Sequence, residues 1–368
     1  MTFDIAIRNG AVITGDGSPA IAADVGVRNG RVVAVGRVEG QATREIDATG
    51  LTITPGFVDV HTHDDRAVLI DPDLAAKTSQ GVTTIVAGNC GIALAPRPRG
   101  ARPAAPMTLL STETSGFHAD FASYHAALAR TPPAVNVMTL AGHTALRLAS
   151  MDDTGRPANA SEIAAMRALL TEALDAGASG LSTGLYYPPA AAAPPSEIEA
   201  LLDLVAERGG IQTAHLRDES SALLPSLEEA LASAGHSGAA LVVSHLKCAG
   251  PDAWGKAATL LARLDRAMAE QEVAFDVYPY DASSTMLRAD AIDASKRVMV
   301  SWSTPHPEAS GRDLAEVASA WCCSPGEAVR RLSPAGAIYF RMEEPDVERI
   351  VAHPRAMSAR QLPQAIRA

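Results

Sequence analysis

His61 and His63 stand one residue apart at the end of an apolar run, Gly56-Phe57-Val58-Asp59-Val60-His61-Thr62-His63. In a strand, alternate side chains share a face, so the two imidazoles would sit side by side. Neutral imidazole is a common ligand of divalent transition metals, zinc above all. A lone His-x-His at a strand end is equally at home on a surface, and its weight here comes from repetition. Asn89-Cys90-Gly91, Gly142-His143, His215 and His245 each close a further apolar run. Cys90 by itself fits a small buried hydrophobe, and His215 by itself fits a hydrogen-bonded core residue. Six nitrogen or sulfur ligand types at the ends of five apolar runs point instead to a metal centre. Zn²⁺ with one open position lowers the pKa of bound water towards ~7 and supplies hydroxide at neutral pH. A soft thiolate such as Cys90 favours zinc over Mg²⁺ or Mn²⁺.

Two other residue types crown the same run ends. The chain has four lysines, Lys77, Lys247, Lys256 and Lys296, and Lys247 follows His245 by two residues. It is either a solvated loop residue or a point charge for a substrate carboxylate, and the scarcity of lysine favours the second. Tyr186-Tyr187 and Tyr278-Pro279-Tyr280 could donate hydrogen bonds to a developing oxyanion, and packing suits each of them equally.

These residues need a scaffold that gathers strand ends. From Thr52 onward the chain alternates short apolar runs with amphipathic helices. The runs fall at 53–63, 82–90, 135–143, 180–186, 211–215, 241–245 and 273–278, and suit strands buried on both faces of a parallel sheet. A helix is expected over 160–176, capped by Ser161, and another over 196–208 ending at Gly209-Gly210. One βα unit per ~30 residues is the pattern of a (β/α)8 barrel or a doubly wound sheet. No glycine-rich nucleotide fingerprint follows the first strand, so the barrel is favoured. Active sites of such barrels lie where the strand C-terminal ends converge. Residues 1–55 read instead as a small all-β sandwich module, with a hairpin turning at Asn29-Gly30.

The 368 residues suit one large domain, 56–368, beside this small one. A net charge of −11 argues against a nucleic-acid binder. Apolar runs all fall short of the ~20 residues of a membrane span, and residues 1–4 lack the features of a secretory signal. The four cysteines show no framework spacing, which favours a reducing cytoplasm.

Pro55-Gly56-Phe57-Val58-Asp59-Val60-His61-Thr62-His63 resembles the opening of the amidohydrolase superfamily. Three further stretches are similar to the D-aminoacylase, or N-acyl-D-amino-acid deacylase, family. They are Gln80-Gly81-Val82-Thr83-Thr84 with Gly88-Asn89-Cys90-Gly91-Ile92, then Val243-Ser244-His245-Leu246-Lys247-Cys248-Ala249-Gly250, then Trp302-Ser303-Thr304-Pro305-His306-Pro307. The resemblance spans about residues 4–357. It implies that Cys90, His215 and His245 hold a tight zinc ion while His61 and His63 serve a weaker second site. It implies that Lys247, with Tyr278 and Ser284 and with Tyr187 nearby, positions the α-carboxylate of an N-acyl-D-amino acid. It also implies that residues about 282–340 form an insertion over the mouth.

The family's catalytic aspartate sits in a Gly-Ser-Asp-Gly stretch at the eighth strand. Here Met357 is followed by Ser358-Ala359-Arg360-Gln361-Leu362-Pro363, with no carboxylate and no apolar run. Only seven barrel strands can be counted, no catalytic residue is identified, and the expectation is a chain that folds poorly or turns over slowly unless restored to full length. The activity expected of the family is hydrolysis of a linear amide to a carboxylate and a free D-amino acid. The alternatives are a metal-binding remnant with little turnover and a cyclic-amide hydrolase of the hydantoinase type. The surroundings of Cys90 and Lys247 disfavour the last.

Overall fold

Two kinds of hydrophobic spacing in the chain produce two kinds of sheet. The structure, a computed structural model, describes residues 2–100 and 102–358. Its contacts divide it into a unit up to residue 57 and a unit from residue 58. In the first, the strands Arg31–Gly36, Ile21–Arg28, Phe3–Val12 and Ala42–Asp47 pair in that order, with Thr52–Ile53 also on Phe3–Val12. Among the described residues this is one five-stranded sheet, a single layer of the expected sandwich. Asn29 and Gly30 both have positive φ, 52° and 70°, as the two-residue turn between Arg28 and Arg31 requires. Phe3, Ala6 and Val38 form its small core, and Gly26 is needed there because a Cβ would meet the Phe3 ring at 2.7 Å.

The second unit alternates strand and helix. Its barrel strands are Phe57–Asp59, Val82–Ala87, Asn136–Thr139 continuing as Ala141–Gly142, Gly180–Gly184, Ile211–His215, Ala240–Val243 and Val273–Val277, with parallel pairing from Val82–Ala87 onward. They lie side by side in chain order, with one break in the ladder at Leu140. The expected first strand, 53–63, is shorter than its apolar run suggests. Thr52–Ile53 belongs to the other sheet, and His61 and His63 lie beyond the strand, in the loop that leaves it.

An eighth strand is present, contrary to the count of seven. Ala356–Ser358 runs parallel to Val273–Val277, with Phe275 opposite Ala356 and Val277 opposite Ser358. Three residues of mixed polarity make no apolar run, so only the pairing reveals them. The architecture is that of the expected (β/α)8 barrel. Residues 359–368, where the resemblance looks for the aspartate stretch, lie outside the described residues.

Helices Ala160–Asp175 and Pro195–Glu207 match their expected spans. The cap of the first is Asn159, not Ser161. Its side chain accepts from the backbone of Glu162, which reciprocates to Asn159, a capping box that the sequence also permits. Residues 282–340 build a three-stranded antiparallel sheet in the order Ala282–Met286, Ala335–Phe340, Arg297–Ser303. Helices Leu314–Ala320 and Pro325–Leu332 close its core around Val300, Val317 and Tyr339. No helix among the described residues is long and apolar enough to cross a membrane.

Candidate metal centre

Ligand atoms from four strand ends converge. His61 Nε2 lies 3.2 Å from Cys90 Sγ, and Cys90 Sγ lies 3.4 Å from His245 Nε2. His245 Nε2 is in turn 3.1 Å from His215 Nδ1. All four side chains are buried. His63 is adjacent, its ring 5.7 Å from that of His61 and nearly perpendicular to it. Cys90 and His245 both occupy left-handed backbone, φ 57° and 35°. That region is costly for residues with a Cβ and persists where the surroundings impose it, often at functional sites. Glycines let the chain close around Cys90: a Cβ on Gly184 would stand 2.0 Å from the Cys90 carbonyl oxygen.

Carboxylates orient the imidazoles. Asp276 Oδ2 is 3.2 Å from His61 Nδ1 while its Oδ1 accepts from the His245 backbone N–H at 2.8 Å. Glu219 Oε1 is 3.2 Å from His245 Nδ1. A carboxylate on one ring nitrogen leaves the other free to ligate. Burial, reinforced by neighbouring cations, holds His245 well below its ordinary pKa. Burial likewise brings His215 down to about 3 despite Glu219, and His63 to about 3 with help from His61. Burial opposes a charge on His61 as well, but Asp276 and Cys90 outweigh it and push the pKa up to about 10.

The donor set fits a zinc ion. Three imidazoles and a thiol are the nitrogen and sulfur ligands that Zn²⁺ takes. His215 Nε2 is buried without a hydrogen-bond partner, its nearest carboxylate oxygen 3.6 Å away. A second possible grouping, His215, Glu219 and His245, already holds a cation of the protein's own. Lys247 Nζ bonds Glu219 Oε1 and lies 2.7 Å from His245 Nδ1.

The amidohydrolase family profile matches residues 44–356. Over 353 residues the chain is 47% identical to the N-acyl-D-aspartate deacylase of Alcaligenes xylosoxydans xylosoxydans, covering 95% of this chain and 71% of that one. The chain belongs to the amidohydrolase family. Its similarity extends, at 45% identity, to the N-acyl-D-glutamate deacylase and the D-aminoacylase of the same organism, covering 72% of each. A crystal structure of D-aminoacylase, described as defining a novel subset of amidohydrolases, superposes with a TM-score of 0.94 at 45% identity, over 97% of this chain and 75% of that one. The N-acyl-D-glutamate deacylase of Bordetella bronchiseptica, solved with zinc and a phosphonate mimic of the tetrahedral intermediate, gives 0.93 at 45% identity, over 98% and 76%. These matches place the chain in the D-aminoacylase branch of the family.

Other expected residues of this amidohydrolase divide. Lys247 is buried, with its ammonium 5.6 Å above the Tyr278 ring. Tyr278 Oη is buried with no hydrogen-bond partner among the described residues. Tyr187 packs edge-on to His215 at 5.2 Å and its hydroxyl meets Thr285 Oγ1 at 3.0 Å. Tyr186 stacks on the His215 ring. Ser284 pairs through its backbone with Ile338 and lies on the strand face opposite Ser283 and Thr285. His143, counted with the ligand types from sequence, stands apart. Its Nε2 meets Glu197 Oε1 at 2.9 Å in a buried cluster with Arg147. Arg288, in the insertion, lies over the Tyr186 ring at 4.6 Å and donates to the Tyr186 carbonyl.

Sequence reasoning missed Glu219, Asp276 and Arg341. Arg341 is buried, donates from Nε to Ser283 Oγ at 2.9 Å, and reaches Glu219 Oε2 at 3.3 Å. The signal available for Asp276 was an aspartate inside the apolar run Val273-Ala274-Phe275-Asp276-Val277, a place where a charge is retained only with partners. Glu219 and Arg341 carry no such flag.

Proposed function

We propose that this chain is a zinc-dependent hydrolase that cleaves the amide of N-acyl-D-amino acids to a carboxylate and a free D-amino acid. The observation that carries the reading is the convergence of His61, Cys90, His215 and His245, with Lys247 Nζ 2.7 Å from His245 Nδ1. Cys90, His215 and His245 are assigned to a tight ion, and His61 and His63 to a weaker one. A zinc ion held by these residues would supply a Lewis acid for the scissile carbonyl and a hydroxide near neutral pH.

The protein's own groups bind and orient the substrate. Lys247 presents a desolvated ammonium to the substrate α-carboxylate, and the unpartnered Tyr278 hydroxyl donates beside it. Tyr187 walls the same space and is joined through Thr285 Oγ1 to the insertion at about 282–340. That insertion borders a cavity of about 1010 Å³ lined by Tyr187, Met286, Arg288 and Thr108, which suits the substrate's side chain. Residues 1–55 are assigned to a small module and 56–368 to the catalytic domain. A thiolate ligand needs a reduced cysteine, which suits the cytoplasm.

The named activities of the relatives, all on N-acyl-D-amino acids, support a linear amide over a cyclic one. The test is zinc-loaded protein with N-acetyl-D-methionine, N-acetyl-D-glutamate, their L-enantiomers and hydantoin. Free amine released from the D-compounds alone is expected. No turnover of either D-compound, or faster turnover of hydantoin, overturns the reading.

A further inference from the structure

The Glu219 carboxylate faces two parts of the site at once. Its Oε1 bonds the Lys247 ammonium and is 3.2 Å from His245 Nδ1. Its Oε2 is 3.3 Å from Arg341 Nη2, and Arg341 is fastened to Ser283 in the insertion sheet. All of these groups are buried. The competition lies at His245 Nδ1. Lys247 Nζ, 2.7 Å away, can only donate to it, since an ammonium has no acceptor. With Nδ1 accepting, a neutral imidazole carries its proton on Nε2, the atom that faces Cys90 and His215. A proton on Nδ1, donated to Glu219, instead frees the Nε2 lone pair. The two arrangements exclude each other, and Glu219 contacts both contenders.

We propose that Glu219 is a positioning residue that couples metal loading to substrate binding: by accepting from His245 Nδ1 it makes Nε2 a ligand and turns Lys247 away from the imidazole, towards the substrate carboxylate. This rests on the assignment of His245 to zinc and Lys247 to the carboxylate. Charge agrees with it. Lys247 and Arg341 against Glu219 leave one buried positive charge in excess, which one substrate carboxylate balances.

Three variants test it, with zinc affinity read by chelator competition and kinetics on N-acetyl-D-methionine. Glu219→Gln should weaken zinc by about 10–100-fold, the range for loss of a ligand-orienting partner, and should also raise KM. Lys247→Met should raise KM yet bind zinc at least as tightly as the parent, because the competitor for Nδ1 is gone. The double variant Glu219→Gln/Lys247→Met removes the Lys247 ammonium together with its counter-ion and leaves Arg341, still bonded to Ser283, as the one uncompensated cation of the two, so it is the milder comparison if Glu219→Gln does not fold. It should bind zinc more weakly than Lys247→Met. Parental zinc affinity in Glu219→Gln, equal affinity in the double variant and Lys247→Met, or an equal loss in both single variants overturns the proposal. The zinc readout needs no turnover, so failure of the deacylase reading and failure of the coupling are distinguishable.

Discussion

Two buried clusters in the barrel are built from the same three kinds of group, an imidazole, a carboxylate and a cation. His245, Glu219 and Lys247 form one; His143, Glu197 and Arg147 form the other. In each, a carboxylate is shared between an imidazole and a cation, with almost no solvent exposure. They differ in what the remaining atoms face. Arg147 spends its donors on the backbone carbonyls of Pro189, Thr154 and Arg156, and Glu197 also accepts from the Ala158 N–H. The cluster fastens loops together, and no thiol or second imidazole approaches it among the described bonds. Around His245, by contrast, a thiol and two further imidazoles bring their ligand atoms to one point, a tyrosine hydroxyl is unpartnered, and two donors sit on left-handed backbone. Residue type does not separate a chemical site from a structural one. Convergence of ligand atoms does, since a buried nitrogen without a partner occurs at both places, His143 Nδ1 at one and His215 Nε2 at the other.

The largest effects should fall at the ligands. Cys90→Ala should abolish tight zinc binding, a loss beyond the about 10–100-fold of a ligand-orienting residue, and activity should go with it. His61→Ala should leave much of the zinc. Elemental analysis showing full zinc in purified Cys90→Ala would remove the thiolate from the centre.

Next comes the structural cluster, where the cost should appear as stability instead. Glu197→Gln should destabilise the fold by about 3–5 kcal/mol, the range for breaking a buried pair, with zinc per folded molecule unchanged. Burial opposes the Glu197 charge, but His143 and Arg147 outweigh it and bring the pKa down to about 2. Because this folded value lies below the ordinary 4.5, the contribution is complete above about pH 4.5 and is lost as pH falls through about 2. Denaturant titrations of parent and variant should therefore converge between pH 4.5 and 2. A gap that stays constant across that range would refute the linkage.

Smaller and purely kinetic changes are expected on the substrate side. Lys247→Met should keep zinc and raise KM roughly 10-fold or more, in line with one charge-assisted bond, with a lesser fall in kcat. Tyr278→Phe removes only a hydroxyl and should raise KM by about 2–10-fold, the worth of one neutral hydrogen bond. Unchanged kinetics in both variants would move the carboxylate site elsewhere.

Much of the centre was readable because its ligands follow apolar runs, and a parallel barrel delivers every such end to one rim. His61, Cys90, His215 and His245 were found this way, and His143 was swept in by the same rule. At that position the chain enters helix His143–Ser150 directly, and the ring goes to Glu197 on a neighbouring helix. Glu219 and Arg341 were invisible because they arrive from irregular loops, where no period fixes a direction. The strand Ala356–Ser358 was hidden because its partner, not its composition, makes it a strand. The cap of helix Ala160–Asp175 was shifted by two residues because Ser161 and Asn159 are both good caps and only geometry chooses between them.

The left-handed backbone at Cys90 and His245 has a consequence for anyone redesigning this chain. Judged by conformational preference alone, glycine or asparagine is the better occupant of both positions, by about 1 kcal/mol or more at each. Selection for thermostability, whether by consensus, by computation or by screening survivors of heat, would drift towards those replacements and erase two of the four converging ligands. Any such campaign has to hold these two positions fixed and gather its gains from other parts of the molecule, because here the less comfortable residue is the one that carries the chemistry.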